Sequence, residues 1–165
     1  MKQRSEILAY SGTFIALIAA GSWISIPFIP VPLTLQTLFV MLAGITMRRY
    51  AVIPVAGYVL LGALGLPVFH NGTAGLGMLL GPTGGFLIGF IAAALVAGLA
   101  YEQKNEYLRI AGLAAASGVI YLFGTAWLSY SASLPLLQAA LLGVAPFIPG
   151  DAVKIAAAYS IGKRL

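Results

Sequence analysis

Apolar positions gather in six runs along the chain, near residues 7–26, 34–47, 51–64, 84–101, 107–130 and 146–161. Short stretches rich in Gly, Pro and polar residues separate them, such as "PFIPVP", "GLPVFHNGTAGLGMLLGPTGG" and "SASLP". No run alternates with the two-residue period of an outer-membrane barrel strand. Crossing about 30 Å of hydrocarbon takes about 20 helical residues. Four runs approach that length, and the second and third are short enough to require tilting or extension by their flanks. The pattern predicts an all-α integral membrane protein, a compact bundle of six transmembrane helices forming a single membrane domain over residues 1–165, without internal repeats.

Composition supports the membrane reading: of 165 residues, 61% are hydrophobic and 8% charged, and mean hydropathy is +0.99. A net charge of +5 raises the question of nucleic acid. The basic residues, however, sit at segment ends and form no stripe with interleaved aromatics, so nucleic acid is not expected as a partner. Lys2 and Arg4, Arg48 and Arg49, Lys104 and Arg109, and Lys163 and Arg164 mark alternate ends, while residues 27–33, 65–83 and 131–145 contain no Lys or Arg. By the positive-inside tendency both termini are expected in the cytoplasm. The N-terminal run has the charge and apolar stretch of a signal peptide, yet an unprocessed first span fits everything downstream. No cysteine is present and His70 is the only histidine, so neither a metal site nor a cofactor is expected. No GxxxxGK[ST] loop occurs, which leaves any ATP-driven step to another protein.

Candidate chemistry concentrates in two places. Asp151 and Lys154 lie three apart inside the last apolar run, on one face of a helix, where they can neutralise each other. Charged groups at membrane depth usually face a bundle interior or wet cavity, and this pair can offer an acceptor and a donor to a neutral polar ligand. The bland alternative is a structural ion pair between helices. The glycine-rich loop before Gly84 permits close backbone approach to a ligand, and equally permits tight turns; His70 and Asn71 add polar groups to it. Thr34 and Gln36, after two prolines, can line a pocket or cap a helix. Gly12, Ala16 and Ala20 recur every fourth position in the first span, a stripe suited to close helix packing within the bundle or against a partner protein.

The segments "IPFIPVPLTLQT", "GLPVF", "LLGPTGGFLIGF" and "PFIPGDAVKIAAA", in this order, resemble the BioY family over nearly the whole chain. Members of that family are biotin-specific substrate-binding (S) components of energy-coupling-factor transporters. The resemblance implies a prokaryotic cell-membrane protein that captures biotin from outside, with uptake energised by a shared transmembrane coupling protein and two cytoplasmic ATPases. It also implies that Asp151 and Lys154 hold the biotin head, with Gln36, Asn71, Gly84 and Phe86 as further substrate-binding residues and Gly12, Ala16 and Ala20 as the docking stripe for the coupling protein. Phe86 stands where many relatives carry tyrosine, and "HN" replaces a smaller glycine-rich continuation after "GLPVF". An S component for another vitamin and a small six-helix channel are the alternatives. An enzyme is not expected, because one acid, one lysine and no deep histidine supply no nucleophile and base.

Overall fold

The computed structural model describes residues 2–165, with residues 2 and 3 in backbone only, so the charge expected at Lys2 lies outside the described side chains. Its elements are α1 (Lys2–Trp23), the two-residue strands β1 (Ser25–Ile26) and β2 (Leu33–Thr34), α2 (Gln36–Met47), α3 (Val52–Ala63), α4 (Leu76–Leu80), α5 (Gly84–Glu102), α6 (Glu106–Ser131), α7 (Leu136–Gly143) and α8 (Ile148–Gly162). Start signals account for several helix ends. The Asn105 side chain accepts the Tyr107 N–H at 2.9 Å and opens α6, and a proline in the first turn of α8 costs no helical hydrogen bond there.

Residues 36–63 are apolar on average, despite Arg48 and Arg49 near their middle, and long enough for one 28-residue crossing. A continuous helix would hold Gln36 and Tyr58 about 33 Å apart at about 1.5 Å rise per residue. Yet Gln36 Nε2 donates to the Tyr58 hydroxyl at 2.6 Å. The chain therefore folds back, through a 3-10 turn over Arg48–Ala51 entered by Arg48 at φ 56°. The Arg48 guanidinium bonds the carbonyl of Tyr101, and Arg49 pairs with Glu102 at 2.7 Å, which fixes the reversal against the end of α5. With α2 and α3 counted separately, α1, α5, α6 and the bent pair of α7 and α8 complete an all-α membrane bundle of six passes. The two halves of the hairpin measure only about 18 Å each.

Three local departures from the sequence pattern occur. Antiparallel pairing of Ser25 with Thr34 and Ile26 with Leu33 closes the loop between α1 and α2 as a small ribbon. The glycine-rich loop contains a short helix, α4. The stretch after Pro135, expected as loop, is helical as α7 because "LLQAALLG" is apolar and strongly helix-forming, and it joins α8 across a 53° bend.

Helices α5 and α6 form the centre, with α2 on the other side of α5 and α8 against α2. Ile18, Met41, Val55, Tyr58, Leu113 and Leu128 are fully buried among them. Small residues allow the closest approaches: a Cβ on Gly98 would lie 2.2 Å from the carbonyl oxygen of Arg48, and one on Gly44 would lie 2.7 Å from the Cβ of Ala97. Leu8, Ile53, Leu60, Leu99 and Leu122 face outward, as lipid-contacting side chains should. The bundle has two unlike ends. One gathers Arg48, Arg49, Arg109 and Lys163 around the α5–α6 connection; at the other, the Ser22 and Tyr58 hydroxyls both donate to the carbonyl of Val68, at 2.7 and 2.9 Å.

Candidate functional site

The first turn of α8 brings Asp151 into the bundle with 3% of its surface exposed. Lys154, one turn on, donates to Asp151 Oδ1 at 2.8 Å and to the Thr37 hydroxyl at 3.0 Å. Thr37 sits in the first turn of α2, and its hydroxyl lies 3.3 Å from Asp151 Oδ1, closing a triangle. From the middle of α6, Tyr121 donates to Asp151 Oδ2 at 2.5 Å. Three helices thus meet at one carboxylate.

Counting donors and acceptors shows what is left over. An ammonium has three N–H donors and an ionised carboxylate about four acceptor positions. Lys154 uses two donors and Asp151 three acceptor positions. The pair retains one donor beside one acceptor, the complement of a ligand edge carrying an N–H next to a carbonyl, as in an amide or urea.

These groups form one wall of a cavity whose empty space, counted out to its open mouth, is about 500 Å³. The facing wall is apolar: Phe86, Leu87, Phe90, Ile120 and Phe147, with the Phe86 and Phe147 rings stacked at 6.3 Å between centroids. Val31, Pro32 and His70 reach it from the α1–α2 and α3–α4 loops. Burial lowers the His70 pKa below its ordinary 6.5, so His70 is neutral at neutral pH. A polar floor facing an aromatic wall suits a ligand with a hydrogen-bonding head on an apolar body.

The structure gathers Asp151, Lys154, Gln36, Thr34 and Phe86 around this cavity. Gln36 is held at both ends of its amide, donating to Tyr58 and accepting from the Thr34 hydroxyl at 2.8 Å. Asn71 and Gly84 are not in the lining. Asn71 is exposed at φ 55° and accepts from the Ser25 hydroxyl at 3.1 Å, while its neighbour His70 turns inward. Gly84 packs α5 onto α4, where a Cβ would fall 1.7 Å from the carbonyl oxygen of Leu79, and Thr83 lines the cavity instead. Gly12, Ala16 and Ala20 lie exposed on the outer face of α1, and a Cβ on Gly12 would meet nothing within 4 Å, so this stripe is not an internal packing seam. Thr37 and Tyr121 escaped the sequence reading. A signal for Tyr121 existed: a tyrosine ten residues inside an apolar span is far from the interfacial belts and requires a hydroxyl partner.

A family model, that of the BioY family, matches residues 1–165. The chain belongs to the BioY family. Among BioY proteins it is similar to the biotin transporter BioY of Thermotoga maritima, 44% identical over 160 residues that cover 96% of this chain and 94% of the relative. The probable biotin transporter BioY of Pyrococcus horikoshii is 42% identical, covering 92% and 91%. A crystal structure of the S-component for biotin from an ECF-type ABC transporter superposes with a TM-score of 0.88 at 29% identity, over 99% of this chain and 92% of that one. These BioY relatives are transporters rather than enzymes.

Proposed function

We infer that this chain captures biotin and serves as the substrate-binding membrane component of an ATP-driven energy-coupling-factor transporter. The observation that carries the reading is the single donor and single acceptor left open on Lys154 and Asp151 beside an aromatic wall. Biotin's ureido ring presents N–H groups next to a carbonyl, and its fused sulfur ring and aliphatic tail supply the apolar body. In this reading Asp151 accepts a ureido N–H, Lys154 donates to the ureido carbonyl, Thr37 and Tyr121 hold the carboxylate in position, and Phe86 and Gln36 shape the pocket. Asn71 acts through the loop that bears it, and Gly84 through the close seat it gives the start of α5 against α4.

The orientation follows the charges: the end holding Arg48, Arg49, Arg109 and Lys163 faces the cytoplasm of a prokaryotic cell, and the cavity opens outward. The coupling protein docks along Gly12, Ala16 and Ala20, whose exposure and small size leave room for a close helix contact. Two cytoplasmic ATPases supply the energy. Calorimetric titration of the detergent-purified chain with biotin, and with thiamine and riboflavin as controls, tests the assignment. Tight one-to-one binding of biotin alone is expected; absence of heat and of thermal stabilisation in folded protein would overturn it.

A further inference from the structure

At the basic end of the bundle, Tyr101 in the last turn of α5 is 3% exposed, and its hydroxyl has no hydrogen-bond partner. A buried hydroxyl left unpaired is a standing cost, so its position calls for an explanation. A Cβ on Gly162 would lie 3.1 Å from that oxygen, and Gly162 and Tyr101 both line an open cavity of about 440 Å³ with Lys104, Glu106, Arg109 and Lys163. Three cations against one carboxylate leave this lining at +2, and Glu106 is already engaged by Lys163 at 2.6 Å and by the Tyr159 hydroxyl. The guanidiniums of Arg48 and Arg109 add positive charge 5.5 and 5.4 Å from the Tyr101 ring centre. Capping of α5 explains part of this arrangement, since Arg109 Nε donates to the carbonyl of Gln103 at 2.8 Å. It does not explain Lys104, which has no hydrogen bond or ion pair among the described residues, nor the idle hydroxyl of Tyr101.

We propose that this cavity is an anion site that takes a phosphate group, with Lys104 and Arg109 supplying charge and the Tyr101 hydroxyl reaching it by a small side-chain shift. An anionic phospholipid is the source that the surroundings favour. Leu99, Leu108, Ile110 and Ile161 are exposed near the same helix ends and offer a bed for acyl chains, and basic pockets between helix ends on the cytoplasmic side are a recognised setting for lipid headgroups. Inorganic phosphate presents the same chemistry without the chains.

The test is the melting temperature of the detergent-purified chain during titration with phosphatidylglycerol, phosphatidylcholine, inorganic phosphate or sodium chloride of matched ionic strength. Phosphatidylglycerol is expected to raise it more than phosphatidylcholine. Lys104→Gln is expected to weaken the apparent affinity roughly fivefold, the loss for one basic residue near an anionic surface. Tyr101→Phe is expected to melt no lower than the parent without lipid, because it removes an unpaired group, while losing part of the phosphatidylglycerol response. Saturation by inorganic phosphate at comparable concentration would assign the site to the free ion, and response to the lipid alone would assign it to the membrane. Equal responses to the two lipids, reproduction of the effect by sodium chloride, or a full response retained in both variants would overturn the proposal.

Discussion

Replacing Asp151 by Asn separates a ligand contact from a structural ion pair, because the two roles predict different combinations of affinity and stability. The substitution leaves the Lys154 ammonium, whose side chain is 12% exposed, facing a carboxamide. Breaking a buried pair costs roughly 3–5 kcal/mol, and the low end applies here because Lys154 borders a cavity. Loss of a charged acceptor for the ligand N–H costs a further roughly 1.5–3 kcal/mol of binding, about a 10- to 150-fold rise in Kd. The double variant Asp151→Asn, Lys154→Met removes the orphaned charge and should recover most of the stability, yet it cannot restore the open donor and acceptor. Melting temperature and calorimetric titration with biotin, measured on all three proteins in one detergent, read the two quantities separately. A double variant that binds biotin within about twofold of the parent would refute the assignment of the pair to the ligand, whatever the single variant does.

Other substitutions probe different parts of the argument. Tyr121→Phe removes the hydrogen bond to Asp151 Oδ2 and should weaken biotin binding by about 1 kcal/mol, with Tyr121→Leu weaker still if the ring also packs; equal affinity for Phe and parent would show that the carboxylate needs no such support. Gly98→Ala drives a methyl group into the Arg48 carbonyl and should destabilise by at least about 1–3 kcal/mol in a melting assay, whereas Gly12→Ala should leave melting unchanged. Gly12→Leu with Ala16→Leu should preserve biotin binding while abolishing co-purification with the coupling protein. His70 carries a pKa below 6.5, so the unfolded chain binds the extra proton first as pH falls. Its contribution to stability is full above about pH 6.5 and is lost as pH drops toward the folded value, and His70→Gln should remove that part of the pH slope in the melting temperature.

Asp151 and Lys154 stood out in the sequence because a charge inside an apolar run is expensive enough to need a reason, and an i, i+3 spacing supplies a partner without tertiary information. The back-fold at Arg48 was legible for a related reason: two adjacent arginines cannot sit mid-membrane, so they had to mark a turn. Single-residue rotation was not legible. One step along a helix turns a side chain by about 100°, which is why Thr37 joined Gln36 at the cavity unannounced and why Thr83 lines it where Gly84 packs. In the glycine-rich loop no periodicity exists to say that His70 points in and Asn71 out. That choice is made by the Ser25 hydroxyl, 46 residues away in sequence. The apolar stretch of α7 was misassigned because a loop and a short helix after proline share the same residues until something packs against them.

The bend between α7 and α8 has a bearing on release. Asp151 and Lys154, the pair proposed to hold the ligand, both ride on α8, one turn apart, just beyond a 53° break in the chain. A push on that helix carries acceptor and donor together, like the two jaws of one tool, while Thr37 and Tyr121 stay behind on α2 and α6. The grip can therefore be opened without prying the ion pair apart and without exposing a naked charge to lipid. On the proposed assignment, release by such a movement relocates a neutral unit, and its electrostatic cost is small.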